Sequence, residues 1–315
     1  MNSIEEAVAR LEPAVRAVIA AARRGDLATL NALLQSNPEA ASPRWREGFS
    51  PERIRIETVP LCCVALGVFE GTNKSRNDAE LTRALIQAGA DVEFNSGDPL
   101  KTAVSYYARG AVETLLEAGA LVDGTDGSGM PMAYAMGFGF REIAHTLDHR
   151  GAALDMRFAA GLGKLDIARS FVNPDGSLKP EAGRLDDPYE NLFRAERTRA
   201  NILSQSLYFA CTNALLEVAS YLLDLGADVN LEVPGLNQLG GTVLHALTGG
   251  VPVGAGGDPH MYDESRVPLA QLLLDRGASS ALEDSRFHST PLGWAQHYHN
   301  QRMIDLLTPL TPPVM

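Results

Sequence analysis

The chain has 315 residues, of which 45 % are apolar, and its formal net charge at pH 7 is −12. This length allows one long or two ordinary domains, and the acidic balance argues against a nucleic-acid-binding protein, whose contact surface is usually basic. Residues 1–6 lack the cationic start and apolar run of a secretory signal. No stretch approaches the roughly 20 apolar residues that a membrane helix needs. We therefore expect a cytoplasmic protein that binds neither nucleic acid nor a membrane.

The three cysteines, Cys62, Cys63 and Cys211, are too few to form a disulfide framework. Cys62 and Cys63 are adjacent on a predicted helix, so their side chains point in different directions. Free cysteine behaves as a small apolar residue and is usually buried. We expect three buried free thiols.

A Gly-Ala pair recurs after apolar helical segments along the chain. Residue 119 follows residue 89 by 30 positions, and residue 151 follows residue 119 by 32. Glycine is the residue that most readily ends a helix in the left-handed conformation. The pairs therefore predict a repeated helix end, at Gly89-Ala90, Gly119-Ala120, Gly151-Ala152, Gly226-Ala227 and Gly277-Ala278.

Counting back 21 positions from three of these glycines reaches helix starts near residues 98, 130 and 205. Proline suits the first turn at Pro99 and Pro131, because the N–H it lacks would have no partner there. The second helix of a pair carries apolar residues at helical spacing, as at Leu81 and Leu85, and only stacked neighbours bury such a face. The pattern predicts eight helix pairs, near residues 13–37, 59–90, 98–120, 130–152, 154–172, 205–227, 242–278 and 290–310.

Three segments interrupt this period and are predicted to be insertions, at residues 69–77, 173–201 and 249–264. Within the second of them, residues 188–194 could add a helix. The third is rich in glycine and proline. Long loops in a compact domain are often functional, but a solenoid also tolerates insertions between its repeats. The sequence leaves both possibilities open.

Three strings near the end of the chain carry a family signature. Thr-Val-Leu-His-Ala occupies residues 242–246, Thr-Pro-Leu-Gly-Trp-Ala occupies 290–295, and Leu-Leu-Leu-Asp-Arg-Gly-Ala occupies 272–278. They resemble the ankyrin repeat, whose T-P-L-H-x-A signature opens a helix–turn–helix unit. The resemblance implies an all-α ankyrin-repeat solenoid that covers residues 1–315 as a single domain. The signature histidine is kept only at His245, and other residues stand at its position in five further repeats: Cys62, Lys101, Ala133, Arg157 and Tyr208.

The resemblance also implies a binding surface, because the first helices of ankyrin repeats line a concave groove. Residues seven and eight positions after each helix start would face it, and several of them here are aromatic or cationic. An anionic ligand between Lys101 and Arg157 is a further possibility. The residues predicted to bind a partner or ligand are Lys101, Tyr106, Phe138, Arg157, Tyr208, Asn213, His245 and Tyr298. Alternatively, Phe138 and Leu162 pack against adjacent repeats.

The motifs for catalysis and metal binding are weak. The sequence contains neither a Gly-x-Ser-x-Gly elbow nor a phosphate-binding Gly-x-x-x-x-Gly-Lys loop. His145 and His149 are four positions apart on a predicted outer helix, but no third ligand accompanies them. His260, Asp263 and Glu264 lie in an insertion that fixes no geometry. We predict no catalytic residue, no metal site and no cofactor.

The sequence therefore favours a protein-interaction module that binds a protein partner through the groove and the hairpin tips. One alternative is an enzyme or small-ligand-binding protein, with a pocket in the groove covered by residues 249–264. Another is a subunit of an assembly, in which residues 173–201 form the contact.

Overall fold

The computed structural model describes residues 3–43, 56–187, 196–233, 240–248 and 266–310. These residues form 17 α-helices and short 3-10 turns, and within them the β pairing is one isolated bridge, between Val172 and Leu178. The prediction of an all-α fold is confirmed. The helices are α1 (Ser3–Ala9), α2 (Pro13–Arg24), α3 (Leu27–Ser36), α4 (Pro60–Phe69), α5 (Asp78–Gln87), α6 (Phe94–Ser105), α7 (Arg109–Glu117), α8 (Met130–Gly137), α9 (Arg141–His149), α10 (Met156–Gly161), α11 (Leu165–Ser170), α12 (Arg199–Thr212), α13 (Leu216–Asp224), α14 (Val243–Thr248), α15 (Arg266–Asp275), α16 (Pro291–His297) and α17 (Gln301–Leu307).

The described residues divide into two compact units. Residues up to 131 together with 146–152 belong to unit 1, and residues 132–145 together with those from 153 onwards belong to unit 2. The organisation of the chain as a single solenoid stays a prediction. No helix in the described part of the chain combines the length and the apolar character needed to cross a membrane.

In unit 1, helices of like position stack on one another. The first helices pack in the order α2, α4 and α6, and the second helices in the order α3, α5 and α7. Their shared core is apolar, with Val18, Leu30, Leu81, Leu85 and Leu115 almost fully buried. Each pair thus buries its apolar stripe against its neighbours, as a solenoid requires.

The insertion at residues 69–77 folds back on the first helix pair. The hydroxyl of Thr72 donates to the carbonyl of Arg23 at 2.7 Å, and Nδ2 of Asn77 donates to the carbonyl of Gly25 at 3.1 Å. These bonds satisfy carbonyls at the end of α2, which have no partner within that helix. This insertion therefore belongs to the packing of the first two pairs.

The glycines after the second helices adopt the predicted left-handed conformation. Gly89 has φ of 94° and Gly226 has φ of 93°, values that other residues reach only with strain. The N–H of Ala90 then donates to the carbonyl of Leu85 at 3.0 Å, and that of Ala227 to Leu222 at 3.0 Å. This is the Schellman ending, in which the chain reverses direction within two residues.

In unit 2, the first helices pack in the order α10, α12, α14 and α16, and the second helices in the order α13, α15 and α17. Helix α12 begins at Arg199, six residues before the predicted start at residue 205, because Thr198 caps it by accepting from the N–H of Asn201 at 3.2 Å. Phe158 and Phe209 are completely buried between α10 and α12, with ring centroids 6.1 Å apart.

The insertion at 173–201 begins with a tight turn. The N–H of Asn173 donates to the carbonyl of Ser177 at 2.8 Å, and a 3-10 turn follows at Pro180–Gly183. Ala182, Gly183 and Leu185 are buried against the rest of unit 2. The helix expected near residues 188–194 and the whole insertion at 249–264 lie outside the described residues.

The three cysteines are free and buried, as predicted. Burial raises the pKa of Cys62 to about 12 and also raises the pKa values of Cys63 and Cys211. Thiols with raised pKa values are poor nucleophiles, so these cysteines are core residues.

Candidate functional site

In unit 1, two aromatic rings meet at the carboxyl ends of adjacent first helices. Phe69 ends α4, Tyr106 follows α6, and their ring centroids are 4.6 Å apart with planes inclined by 31°. Phe69 is 38 % exposed and Tyr106 is partly buried. Beside them, Nε and Nη2 of Arg23 donate to the two carboxylate oxygens of Glu70. We call these four residues the first-helix rim.

Lys101 is a partly exposed residue of α6 in the same unit. Its ammonium is 2.9 Å from Oδ1 of Asp98, one helical turn earlier. The side chain of Lys101 is 25 % exposed and that of Asp98 is 20 % exposed. A pair of this kind on a helix surface contributes only a few tenths of a kcal/mol. Lys101 is therefore partly accessible to a partner, and binding one through its ammonium would cost at most this weak ion pair.

In unit 2, Phe138 belongs to an aromatic cluster at the end of α8. Its ring is stacked on Tyr134, with centroids 5.9 Å apart and planes 8° from parallel, and it lies 5.5 Å from Phe140. Phe140 is buried, whereas Tyr134 and Phe138 are partly exposed. The ring of Phe138 therefore packs on aromatic side chains of its own helix pair and keeps accessible surface, and its role in binding stays a prediction.

Arg157 was expected to face the groove, but it is completely buried. Its guanidinium donates to Asp155, Asp187, Gln205 and the carbonyl of Leu185, so all five donors have partners inside the protein. The expectation that Arg157 offers its charge to a ligand is wrong. Arg157 is buried and not exposed because Asp187, from the insertion at 173–201, covers its guanidinium.

Arg157 is the centre of a buried ionic network. Asp155 also caps α10 by accepting from the N–H groups of Arg157 and Phe158, at 3.0 and 3.3 Å. On the far side, Arg197 donates to the second oxygen of Asp187 at 2.7 Å. A buried charge is tolerated only when it is paired and hydrogen-bonded. The network therefore attaches the insertion to α10 and α12.

Tyr208 and Asn213 were also expected at the groove, and both are buried, with exposed fractions of 3 % and 4 %. Burial raises the pKa of Tyr208 to about 12. Asn213 donates from Nδ2 to the carbonyl of Phe209 at 2.9 Å, and its own carbonyl accepts from Arg141 at 2.6 Å. These two residues support the end of α12 and present little surface to a partner.

His245 has a structural role as well. The N–H of Thr242 donates to its Nδ1 at 3.1 Å, which places the proton on Nε2, and Nε2 lies 3.2 Å from the carbonyl of Ser289. The ring is completely buried, and burial lowers its pKa. The histidine of the T-P-L-H signature therefore joins pair seven to pair eight, and it was wrongly placed at the groove surface.

Tyr298 does line a cleft, together with residues that the sequence analysis did not select. The cleft has a volume of about 270 Å³ and is lined by Phe287, Ser289, Gly293, Trp294, His297 and Tyr298. Phe287 is 56 % exposed, and Trp294 is 5 % exposed. The nearest sequence signal is the string at 290–295, which locates Trp294 but gives no indication that Phe287 lies next to it.

Asp284 holds the wall of this cleft in place. Its carboxylate accepts from the backbone N–H groups of Arg286, Phe287 and Ser289 and from Nε1 of Trp294, the last at 2.9 Å. Trp294 in turn lies edge-on to His245, with centroids 5.5 Å apart. The indole of Trp294 and the backbone that carries Phe287 are thus held by Asp284.

Metal-ligating side chains do not cluster in threes anywhere in the described residues. His145 and His149 are exposed on α9. His260, Asp263 and Glu264 lie outside the described part of the chain.

No protein-family model matches the chain, and no curated protein matches it. Among solved structures, it is similar to the human ASB11 ankyrin repeat domain, with 20 % identity, a TM-score of 0.39 and coverage of 94 % of this chain and 99 % of that chain. It is also similar to the ankyrin repeat domain of Bcl-3, described as a unique member of the IkappaB protein family. That match has 19 % identity, a TM-score of 0.37 and coverage of 93 % of this chain and 97 % of that chain.

The fold of the chain follows from its own helix pairs. Five of the helix pairs end in a left-handed glycine, and within each unit first helices stack on first helices and second on second. His245 makes the hydrogen bonds of the signature turn. These features agree with the ankyrin-repeat resemblance of the sequence, and the described residues have the all-α fold of stacked helix pairs that it implies.

Proposed function

We propose that this chain is a protein-interaction module, which binds a protein partner through aromatic side chains at the carboxyl ends of its first helices and through its hairpin loops. The observation that carries the proposal is the tilted, partly exposed ring pair of Phe69 and Tyr106 in the first-helix rim. Aromatic side chains dominate the energetics of protein interfaces because they offer a large contact area. A ring that already packs against a neighbouring ring loses little further freedom on binding.

The residues proposed to contact the partner are those that keep accessible surface. Tyr106 and Phe138 are partly exposed, Tyr298 lines the cleft of pair eight, and Lys101 supplies a cation. In a hairpin loop, Leu121 is 52 % exposed. The buried residues of the original set hold the repeats together and have no part in the proposal.

The test compares two variants that each carry two substitutions to alanine. Tyr106→Ala with Phe138→Ala removes the proposed contacts, and Ile167→Ala with Leu216→Ala removes apolar side chains on second helices that are 38 % and 47 % exposed. The wild type and both variants are immobilised on beads and incubated with a cell extract. The captured proteins are then quantified by mass spectrometry. The affinity of the leading partner is then measured with purified proteins.

We expect the first variant to bind that partner at least about tenfold more weakly, which corresponds to roughly 1.4 kcal/mol. The second variant should bind as the wild type does. Equal capture by all three proteins would contradict a role for the aromatic positions. The expected cytoplasmic location is tested in the same cells by fractionation.

The alternative functions have less support. An enzyme or small-ligand-binding protein covered by residues 249–264 depends on residues outside the described part of the chain. An assembly contact through 173–201 is disfavoured by the described part of that insertion, which packs on Arg157 within the same unit. A small molecule that raises the melting temperature, with no captured partner, would favour the first alternative.

A further inference from the structure

The cleft of pair eight has three aromatic rings inclined to one another. The centroids of Phe287 and Trp294 are 6.5 Å apart with planes at 64°, and those of Trp294 and Tyr298 are 6.4 Å apart with planes at 52°. The face of an aromatic ring carries partial negative charge. Inclined rings around a small cleft are therefore suited to an organic cation, which several ring faces attract at once.

A carboxylate behind the indole strengthens this attraction. Burial by itself would raise the pKa of Asp284, but hydrogen bonds from the backbone of Phe287, from Trp294 and from other donors lower it below its ordinary value. Asp284 is therefore ionised at neutral pH. Because it accepts the indole N–H of Trp294 at 2.9 Å, its negative charge increases the electron density of that ring.

The cleft does not offer a carboxylate for a direct ion pair. None of its six lining residues is acidic, and Asp284 is only 2 % exposed, with both oxygens already hydrogen-bonded. A primary ammonium is strongly hydrated, so it would lose water here without gaining an ionic acceptor. A methylated ammonium holds water weakly and keeps its full charge, so the chemistry of the cleft favours it.

We infer that the cleft of pair eight binds the trimethylammonium group of a methylated lysine in the partner protein. The inference rests on the proposed function, which supplies the partner. The chain's net charge of −12 favours the approach of a basic segment that carries such a lysine. Arg286 opposes binding, because its guanidinium lies 5.4 Å from the centroid of Phe287 and repels a second cation.

The test uses small probes and the intrinsic fluorescence of Trp294. The chain has two tryptophans, so the variant Trp45→Phe leaves Trp294 as the only indole. The full-length variant is titrated with N-acetyl-trimethyllysine amide, with N-acetyl-lysine amide, and with a neutral isostere that carries a tert-butyl group in place of the trimethylammonium. We expect the trimethylated probe to bind about tenfold more tightly than either of the others.

Substitutions separate the cation site from its surroundings. Phe287→Leu and Tyr298→Leu keep apolar volume but remove a ring face, and each should weaken binding of the trimethylated probe several-fold. Arg286→Gln should tighten it, because a competing charge is removed. Leu282→Ala is the matched control, since Leu282 is 38 % exposed and does not line the cleft. Because Phe287 is 56 % exposed, we expect its substitution to leave the fold intact.

Three results would overturn the inference: equal binding of the neutral isostere, tighter binding of free choline than of the trimethylated lysine probe, or no fluorescence change with any probe. The probes need no partner protein. A failed titration therefore refutes the cation site and leaves the first-helix rim untouched. A failed capture refutes the proposed interaction through the rim, while the titration separately decides whether the cleft is a cation site.

Discussion

The burial of Arg157 leads to the most specific prediction about stability. The substitution Arg157→Met removes five hydrogen bonds and leaves the carboxylates of Asp155 and Asp187 in a site where both are 0 % exposed. Removing one partner from a buried ionic network typically costs about 3–5 kcal/mol, because the remaining charge is buried and unpaired. A methionine fills much of the same volume, so the loss is electrostatic and does not come from a cavity.

The structure places this cost near the lower end of the range. Asp155 keeps the N–H donors of Phe158 and Leu185, and Asp187 keeps Arg197 and the amide of Gln205. Each carboxylate thus retains partial compensation. We expect Arg157→Met to lower the free energy of unfolding by about 3 kcal/mol.

The matched control is Arg169→Met on the neighbouring helix α11. Arg169 lies 3.5 Å from Asp166, and their side chains are 51 % and 99 % exposed. Exposed pairs contribute at most about 1 kcal/mol and often nothing measurable, so this variant should unfold close to the wild type.

The assay is urea unfolding followed by the fluorescence of Trp294 in the Trp45→Phe background. Trp294 belongs to unit 2, as does Arg157, so the signal reports the unit that carries the substitution. Coincident unfolding midpoints for Arg157→Met and the wild type would refute the reasoning. Arg157 would then not hold the insertion in place.

Further predictions concern the aromatic positions and the pH dependence of stability. Tyr106→Ala with Phe138→Ala should lower the melting temperature by only a few degrees, because partly exposed side chains contribute little to folding; unfolding of the variant would make both rings core residues. Burial lowers the pKa of His245 in the folded state, so unfolding free energy should fall as pH drops below about 6.5. The free energy of unfolding is measured in urea at pH 7 and pH 5 for the wild type and for His245→Asn. An equal fall between these pH values in both proteins would contradict this. The pKa of Asp284 is lowered in the folded state by its hydrogen bonds, although burial opposes the shift, so its contribution should persist at pH 5 and disappear only below about pH 4. Asp284→Asn should be less stable than the wild type at pH 7, and the difference should narrow when unfolding is measured at pH 3.

Much of the repeat organisation follows from local sequence. The left-handed turns at Gly89 and Gly226 depend on a residue without a side chain, and the hydrogen bonds of each helix end come from within a few residues. His245 likewise bonds Thr242, three positions away. Interactions over such short separations leave a pattern in the sequence, and so helix pairs could be placed near their observed positions. The early start of α12 at Arg199, after its cap Thr198, does not follow from the repeat period.

The candidate site depends on contacts between residues that are distant along the chain. Arg157 stands at a position that resembles an exposed groove position, and only Asp187 and Gln205, which are 30 and 48 positions later, make it a buried residue. The insertion that supplies Asp187 has no repeat pattern from which its path could be predicted. The cleft similarly requires that the turn at Asp284 bring Phe287 beside Trp294. The sequence alone thus determines the helix pairs, because caps, turns and apolar periodicity are local. Only the tertiary structure decides which charged and aromatic side chains are buried. The reason is that their burial depends on insertions and turns whose paths the repeat period does not predict.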